Sequence, residues 1–538
     1  MRTGGQIVVD HLLAQHVRHV FLVPGESFLG LLDALHGQTR LRVVTTRHES
    51  AAAMMAEATG KLTGQPGVAV VTRGPGAANA VAGVYIAAQD QSPMVLLVGL
   101  PARARSRAHA FQEIDLARLY GGMAKHVAIA ECADTLPRQI APAFRSAVSG
   151  RAGPAVLGLP EDVLFETAGA PNAHPDHPAQ CELAAPDIES LQAHLNAAQR
   201  PLLISGSARW SAEASAALTS FAQSHDLPVA ASFRRQDRFD NSHDCYVGHL
   251  GFAPHPGLAG ALERADLVIA LGACLDDVTT RGHTLLNRNG AHQKLVLVAP
   301  DAHRPDAIAP YTPDLSIPAC PAGAALALAR QPAAETIPWR GWRRSLRADY
   351  ELSLAQDHTR PDTKGQVDLG DVAALLTRRL GADAIICNGA GHYAAILQRH
   401  YMYRAHPTQL APLSGTMGYG LPAAIAAKLA FPERTVIAVA GDGCFQMTGA
   451  ELATCVQLEL PIVILIANNH ALGSIRNAQM QAGQPRIIAT TLVNPDFAAL
   501  AQACGAAGYR ADSLGDFSDA LEAALASTRP AVIEISVA

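Results

Sequence analysis

The chain has 538 residues, of which 49% are hydrophobic and 17% charged, so its composition is that of a folded protein with more than one domain. A net charge of −5 and a pI near 6.5 exclude a broadly basic surface for nucleic acid. No stretch reaches the roughly 18 uninterrupted apolar residues of a membrane span. The N-terminal apolar run contains Asp10 and His11, which is atypical of a signal peptide.

The nine cysteines include no C-x-x-C pair and have no regular spacing. The 22 histidines are scattered, and no H-E-x-x-H motif occurs among them. The sequence therefore predicts reduced thiols, a cytoplasmic protein and no zinc site.

The first predicted domain, residues 1–165, alternates helix-like segments with short apolar strands. Because these strands are apolar on both faces and are separated by helices, they predict a parallel sheet covered on both sides. The predicted strands are 19–23, 41–45, 67–72, 94–98 and 154–159.

Two further units repeat this pattern, at residues 185–330 and 367–538. A segment rich in proline, alanine and histidine (TAGAPNAHPDHPAQ) and a polar stretch at 331–366 are interpreted as connections. The expected fold is α/β, with three doubly wound parallel-sheet domains. The predicted strands are 201–205, 228–231, 267–271 and 295–298 in the second unit, and 384–387, 436–440, 462–467 and 531–536 in the third.

Polar residues follow two neighbouring strands of the third unit, at the sheet edge where open α/β sheets bind ligands. Asp442 offers a carboxylate, Asn469 a side-chain carbonyl and Ala471 a backbone carbonyl. Together they supply half of an octahedral oxygen shell for Mg²⁺. The remaining positions suit phosphate oxygens and water.

Glycines flank these ligands and predict an anion site beside the metal. Gly441 and Gly443 allow a tight turn, and free amides there and at Gly473-Ser474 could hold a diphosphate. Thr448 and Glu451 form a T-x-x-E pattern that predicts a capping box and a helix beginning near Thr448.

Either motif alone, G-D-G or N-N, is more often an ordinary turn or strand end. Their conjunction, with 27 positions between Asp442 and Asn469, resembles the magnesium-diphosphate motif of thiamine diphosphate (ThDP) enzymes. The lines R-H-E-S-A-A-A-M-M-A-E, beginning at Arg47, and T-R-G-P-G-A-A-N, beginning at Thr72, resemble the pyrimidine domain of the acetolactate synthase branch of that family.

The resemblance implies a pyrimidine-binding first domain, a central domain and a diphosphate-binding third domain. Glu49 would hydrogen-bond the aminopyrimidine ring and promote loss of the thiazolium C2 proton. The implied cofactor contacts are Pro24, Glu49, Thr72, Pro75, Asn79, Ala390, Gly391, His392, Tyr393, Gly415, Thr416, Met417, Gly441, Asp442, Gly443, Cys444, Asn469, Ala471, Leu472, Gly473 and Ser474.

The same resemblance suggests which residues face the substrate. Gly415 would accept a hydrogen bond through its carbonyl, and Met417 would wedge beneath the cofactor. Gly25, in a V-P-G-E turn, would bring bare backbone to the reacting carbon. The implied catalytic residues are Gly25, Glu49, Phe111, Gln112 and Lys125.

A competing hypothesis comes from Gly389, Gly391 and Ala394, which match the G-x-G-x-x-A dinucleotide fingerprint. That fingerprint expects an acidic residue about 20 positions on, where this chain has Gln409 and Leu410. An NAD-linked oxidoreductase therefore stays as an alternative of another class.

The central domain departs from the synthases. Val278 stands where they carry an arginine for the acceptor's carboxylate, and Ala478 where they carry a tryptophan. Bulky side chains in SFRRQDRFD (232–240) and GFAP (251–254) occupy segments that approach FAD in the synthases, so FAD is not expected.

The expected function is decarboxylation of a pyruvate-like 2-oxo acid and transfer of the acyl-anion equivalent to an acceptor, with ThDP and Mg²⁺. The absence of the arginine favours an aldehyde or another acceptor without a carboxylate. Alternatives are a decarboxylase that does not ligate, a 2-hydroxy ketone lyase and a catalytically silent regulatory subunit. The resemblance implies a homodimer or homotetramer with active sites between subunits.

Overall fold

Three six-stranded parallel sheets, each covered by helices on both faces, build the chain. The structure is a computed structural model that describes residues 1–106, 108–171, 182–207, 209–252, 254–286, 293–304, 307–308, 310–333, 336–357, 366–482 and 486–537. The predicted α/β class with three doubly wound domains is confirmed. Residues 172–180 of the predicted first connection, and residues 334–335 and 358–365 of the second, lie outside the described residues.

The most buried strands of the first domain lie in the interior of its sheet. Met94–Leu100 and Pro154–Pro160 are buried at every residue, as expected for strands covered on both faces. A small antiparallel pair joins Arg2–Thr3 to Thr167–Ala168. The strand order is Arg42–Thr45, His19–Leu22, Gly67–Thr72, Met94–Leu100, Pro154–Pro160 and His126–Ile129. The α-helices are Gly4–Ala14, Leu29–Leu35, Glu49–Thr63, Arg73–Asp90, Leu116–Tyr120, Leu136–Val148 and Glu161–Phe165, with short 3₁₀ turns at Glu26–Phe28 and Arg103–Arg105.

The second domain repeats the parallel arrangement around the central strand Pro201–Ser205. Its strand order is Tyr246–His249, Val229–Ala231, Pro201–Ser205, Leu267–Leu271, Lys294–Ala299 and Leu315–Pro318. Its helices are Ala185–Ala197, Ala212–Ser224, Pro256–Arg264 and Pro321–Leu328, with a 3₁₀ turn at Gln236–Arg238.

The predicted polar connection at 331–366 contains a helix, Arg340–Asp357. Its apolar side chains belong to the second domain's cores, since Leu346 and Tyr350 are buried there. Arg347 donates to the backbone carbonyls of Asn241, His243 and Tyr246 at 3.1 Å. This segment is therefore a packed, amphipathic helix. Its many charged residues made the segment resemble a polar connection in the sequence, although its apolar residues recur on one face of the helix.

The third domain holds the two strands that precede the predicted metal ligands, and these strands are neighbours. Its strand order is Gln409–Leu410, Ile385–Asn388, Val436–Gly441, Val463–Asn468, Ala531–Ser536 and Ala507–Ala511. Its helices are Leu369–Arg379, His392–His400, Gly420–Ala430, Asp442–Gln446, Leu452–Gln457, Gly473–Gln481, Phe497–Ala503 and Leu514–Leu525, with a 3₁₀ turn at Gly449–Glu451.

The first and third domains share one continuous apolar core, in which helix Glu49–Thr63 packs on helix Gly420–Ala430. A buried ion pair between Lys61 and Asp90 lies at this boundary. Lys61 also donates to the carbonyl of Ala411 at 2.6 Å, and Asp90 accepts from the amide of Leu413 at 2.7 Å. The two outer domains therefore meet over polar as well as apolar contacts.

Acid should destabilise the first domain through His11. This side chain is 3% exposed and packs on the Phe144 ring, and its Nδ1 has no hydrogen-bond partner. Burial lowers the pKa of His11 to about 4. The neutral form therefore favours the folded state fully above pH 6.5, and that contribution is lost as the pH falls towards 4.

Between pH 7 and pH 5 we expect His11 to account for about 2 kcal/mol of lost stability. The thermal unfolding temperature should therefore drop further on acidification in the wild type than in His11→Leu. His36→Leu, at an exposed helix end, should behave as the wild type. Equal drops in the wild type and His11→Leu would contradict this role.

Candidate active site

Asp442 lies directly after the strand Val436–Gly441 and begins the following helix. Its side chain is 2% exposed: one oxygen accepts from the Gly443 amide at 2.8 Å and the other from Asn494 Nδ2 at 2.7 Å. Among the described residues no lysine, arginine or histidine nitrogen lies within 4.0 Å of this carboxylate. A buried carboxylate with only neutral donors favours a bound cation.

The adjacent strand Val463–Asn468 ends level with the first, since Gly441 pairs with Ala467. Asn494 also donates to Asn468 Oδ1 at 2.8 Å and so ties the two strand ends together. Asn469 and Ala471, the other two predicted metal ligands, line the same cavity as Asp442. Sequence reasoning missed Asn494, because its segment carries no recognisable motif.

The oxygen donors fit Mg²⁺, which prefers carboxylate and carbonyl ligands. In the described ranges no group of three or more His, Cys, Asp or Glu side chains could hold a metal. A metal at this edge would therefore depend on the single carboxylate of Asp442, the amide oxygen of Asn469 and the carbonyl of Ala471.

Several helix N-termini border this cavity, and two of them favour an anion beside the metal. They belong to His392–His400, which follows Gly391 at φ 152°, and to Gly473–Gln481. Tyr393 donates to Cys444 Sγ at 3.2 Å, which joins the turn at 389–393 to the Gly441-Asp442-Gly443 turn. Free amides at helix starts are suited to a diphosphate.

The cavity has a volume of about 740 Å³ and is lined by residues of the second and third domains. Gly415, in the left-handed region at φ 66°, has open space where a Cβ would stand. Thr416 does not line the cavity, and its hydroxyl contacts that of Ser414 at 2.8 Å. The predicted cofactor residues that line it are Ala390, Gly391, His392, Tyr393, Gly415, Met417, Gly441, Asp442, Gly443, Cys444, Asn469, Ala471, Leu472, Gly473 and Ser474.

The first-domain candidates gather at the carboxyl end of the strand Gly67–Thr72. Glu49 begins the helix Glu49–Thr63, and its Oε2 accepts from Asn79 Nδ2 at 2.9 Å. Asn79 lies on the helix Arg73–Asp90, which also carries Pro75. The sheet edge therefore brings Glu49, Pro75 and Asn79 to one place.

Gly25 and Gln112 reach the same edge from two other loops. A Cβ on Gly25 would stand 2.4 Å from the Thr72 Cβ, so the Pro24-Gly25 turn accepts only glycine there. The carbonyl of Gln112 accepts from the Gly74 amide at 2.8 Å. Phe111, beside it, is 76% exposed.

Lys125 is the predicted catalytic residue that the structure does not bring to this edge. Its amide donates to the carbonyl of Pro154, at the amino end of the seven-residue strand Pro154–Pro160, about 20 Å from the carboxyl end. Its ammonium donates to the carbonyls of Ser146 and Ser149 at 2.5 and 2.6 Å. Burial lowers the pKa of Lys125 to about 8. Lys125 therefore lies away from the other predicted catalytic residues of the first domain.

The two halves of the predicted site do not share a cavity within one chain. In the described part of the protein, the cavity that contains Asp442 and Asn469 is lined by no residue of the first domain. Glu49 and Asn79 instead stand partly or fully exposed at their own sheet edge. One chain thus presents two open half-sites.

The predicted capping box does not form, although helical structure begins near Thr448 as expected, with the 3₁₀ turn Gly449–Glu451 followed by the helix Leu452–Gln457. Thr448 donates its hydroxyl to the Gly418 carbonyl at 2.6 Å and caps no amide of that turn. Glu451 Oε1 accepts from the amides of Arg47 and His48 at 2.9 and 3.1 Å, and Oε2 accepts from Thr454. A third-domain carboxylate therefore holds the chain immediately before Glu49.

Three family models match the chain along its length. They are thiamine pyrophosphate enzyme N-terminal TPP binding domain at residues 2–119, central domain at 188–327 and C-terminal TPP binding domain at 389–535. The chain therefore belongs to the thiamine pyrophosphate enzyme family. The segment 389–394 lies inside the C-terminal match, so the dinucleotide interpretation of its glycines is not supported.

Within that family the chain is a ThDP-dependent enzyme of the acetolactate synthase-like kind. It is 32% identical to an acetolactate synthase of Mycobacterium leprae over 99% of this chain and 87% of that protein. It is 30% identical to the acetolactate synthase isozyme 2 large subunit of Escherichia coli over 99% of this chain and 95% of that protein. The Haemophilus influenzae large subunit is also 30% identical, over 94% of this chain and 89% of that protein.

Glu451 should act as a positioning residue for Glu49. Glu451→Ala leaves two amides without their acceptor and releases the start of the helix that carries Glu49, so we expect ThDP-dependent turnover to fall about 10- to 100-fold. Glu451→Gln keeps an acceptor oxygen and should stay within about threefold of the wild type. Turnover measured at saturating cofactor, together with the unfolding temperature, checks this. Equal turnover in Glu451→Ala and the wild type would contradict it.

Proposed function

We propose that this chain is a carboligase that decarboxylates a 2-oxo acid and transfers the remaining acyl unit to an acceptor, using ThDP and Mg²⁺. The observation that carries the cofactor set is the buried Asp442 carboxylate, which lacks a cationic partner among the described residues and faces a cavity with two helix N-termini. The relatives named acetolactate synthase support the reaction class. Pyruvate is the default donor.

The third domain would hold the diphosphate and the metal. Asp442, Asn469 and the carbonyl of Ala471 offer oxygen ligands, and the amides at Gly391-His392 and Gly473-Ser474 offer donors to phosphate oxygens. This arrangement would anchor the anionic end of the cofactor while leaving its rings near Gly415 and Met417.

The first domain would supply the proton chemistry. Bound ThDP supplies the carbon nucleophile that carries the acyl unit. Asn79 fixes one Glu49 oxygen, and in the described part of the chain Oε1 has no hydrogen-bond partner. The other Glu49 oxygen would hydrogen-bond the aminopyrimidine ring and exchange a proton with it.

A second copy of the chain would complete each site. The half-site around Glu49 and the half-site around Asp442 are both open in one chain, and they line no common cavity among the described residues. In a homodimer, or a homotetramer of such dimers, the first domain of one copy can face the third domain of the other.

Subunit mixing tests this arrangement. Glu49→Gln and Asp442→Asn should each be inactive. When the two variants are mixed, dissociated and reassociated, a hybrid dimer has one site with both wild-type residues and one site with neither. Random mixing should restore about a quarter of wild-type activity if the site spans two chains. A mixture of Glu49→Gln with itself is the control. Hybrids shown by native mass spectrometry that stay inactive would contradict a shared site.

We propose a cytoplasmic enzyme that binds no flavin. No helix among the described residues is long and apolar enough to cross a membrane, and the eight described cysteines are free.

The cavity wall next to the predicted cofactor residues supports the proposal that no flavin binds, because it is formed by the bulky side chains of Phe233, Arg234 and Phe252. The absorbance spectrum of the purified protein should show no flavin band. A band whose intensity corresponds to about one bound flavin per chain would contradict the proposal.

The reaction is tested by CO₂ release from a panel of 2-oxo acids, with ThDP and Mg²⁺ and again after both are removed. We expect cofactor-dependent CO₂ and a ligated product, and no turnover in Glu49→Gln with nearly unchanged ThDP binding. A free aldehyde as sole product would favour the non-ligating decarboxylase. Activity only in the cleavage of 2-hydroxy ketones would favour the lyase, and equal activity in Glu49→Gln would remove the proton-exchange role.

A further inference from the structure

Glu534 is a buried carboxylate of the third domain that does not line the cavity. It belongs to the strand Ala531–Ser536, where it is 4% exposed. Among the described residues no lysine, arginine or histidine nitrogen lies within 4.0 Å of its oxygens. Arg510, opposite Glu534 in the neighbouring strand, directs its guanidinium to Asp512 instead. Burying an unpaired charge is costly, so the hydrogen bonds of this carboxylate indicate what it does.

Both oxygens of Glu534 accept from neutral donors. Oε1 accepts from Asn468 Nδ2 at 2.7 Å, and Oε2 accepts from the amide of Phe497 at 3.0 Å. An ionised carboxylate only accepts, so the group of Asn468 that faces it must be the NH₂. Asn468 ends the strand Val463–Asn468 and is 5% exposed. Glu534 therefore fixes which way the Asn468 amide points.

The oxygen of the Asn468 amide contacts the loop that presents two of the proposed metal ligands. It accepts from the backbone amide of His470 at 3.2 Å, and His470 lies between Asn469 and Ala471. His470 has a left-handed φ of 53°, a conformation that a residue other than glycine keeps only where its surroundings hold it. The orientation of the Asn468 amide therefore helps to hold this loop.

The same oxygen is linked to the third proposed ligand, Asp442. Asn494 Nδ2 donates to the Asn468 oxygen at 2.8 Å and to Asp442 Oδ2 at 2.7 Å. The Asn494 oxygen accepts from Nε2 of the exposed Gln446 at 2.9 Å. An inverted Asn494 amide would turn its oxygen towards the Asp442 carboxylate and repel it. The orientation of one amide thus determines that of the next.

We propose that Glu534 is a positioning residue for the metal site, acting through Asn468 and Asn494 on Asp442 and on the loop 469–471. This inference rests on the proposed ThDP and Mg²⁺ site. Mg²⁺ requires near-ideal octahedral geometry, so its affinity depends on how rigidly its few protein ligands are held. Groups that orient metal ligands contribute about 10- to 100-fold in metal affinity. Glu534, Asn468 and Asn494 do not line the cavity, so each acts through its neighbours.

Calorimetric titration of the full chain with Mg²⁺, in excess ThDP, tests this role. Glu534→Gln keeps the size of the side chain but can accept from only one of its two donors, so the Asn468 amide is free to invert. We expect the Kd for Mg²⁺ to rise about 10- to 100-fold. Gln446→Ala, at the exposed end of the same hydrogen-bonded series, should stay within about threefold of the wild type because water replaces the lost donor. An unchanged Kd in Glu534→Gln would overturn the proposal.

A reciprocal exchange separates amide orientation from a simple loss of packing. Asn468→Asp alone places two carboxylates against each other and should weaken Mg²⁺ binding and lower the unfolding temperature. In the double variant Glu534→Gln/Asn468→Asp, the new glutamine donates to the new aspartate and accepts from Phe497, while the aspartate still accepts from Asn494 and His470. Every donor keeps an acceptor, so the Kd for Mg²⁺ should return to within about threefold of the wild-type value or lower. Binding as weak as in Glu534→Gln would rule out the orienting mechanism.

Asn494→Ala tests the same series at a half-buried loop residue, where a substitution disturbs the fold least. Its Kd for Mg²⁺ should rise about tenfold. Turnover should recover when Mg²⁺ is raised well above that Kd, whereas a damaged fold would not recover. Equal Mg²⁺ affinity in Asn494→Ala and the wild type would contradict the proposal even if Glu534→Gln failed to fold.

The wild-type titration distinguishes failure of this inference from failure of the proposed function. If the wild type binds no Mg²⁺ in the presence of ThDP, the proposed cofactor set is wrong and this inference falls with it. If the wild type binds Mg²⁺ and every variant binds it equally well, only the role of Glu534 is wrong.

Discussion

The parallel register of buried strands is the constraint on which the rest of the structure depends. In a parallel sheet all carboxyl ends meet at one edge, so Asp442 and Asn468-Asn469, 26 to 27 positions apart in the chain, stand side by side. The same rule gathers Gly25, Glu49 and Gln112 at the edge of the first sheet. Each half of the proposed active site therefore follows from the strand order and direction of its sheet.

Polar groups then fix how these sheets meet. Tyr419 donates to Glu57 at 2.5 Å across the first and third domains, beside the buried Lys61–Asp90 pair. Burial raises the pKa of Glu57 and lowers that of Lys61, so each charge depends on its neighbours. Because removing one partner would leave the other charge unpaired in the interior, this boundary tolerates few alternative packings. Glu451 uses the same boundary to hold the segment before Glu49.

The strands that carry no clear sequence signal lie mostly at sheet edges, as Leu315–Pro318 and Gln409–Leu410 do. Edge strands are short or half exposed and lack the long apolar runs that identified the central strands. The misread capping box has a different cause. Glu451 stands at the expected spacing from Thr448, but its Oε1 accepts from two amides of the first domain, a contact that no local pattern predicts.

The sequence by itself determined the α/β class and the three units, because apolar periodicity is local, and its resemblance to ThDP enzymes supplied the candidate residues of the two half-sites. Only the tertiary structure decided that Lys125 lies at the far end of its sheet, that Asn494 ties the metal-side strand ends together, and that Glu534 is buried without a cationic partner among the described residues. Those facts depend on contacts between distant segments. Burial and charge pairing depend on residues that are far apart in the sequence and meet only in the folded protein, so local sequence patterns do not predict them.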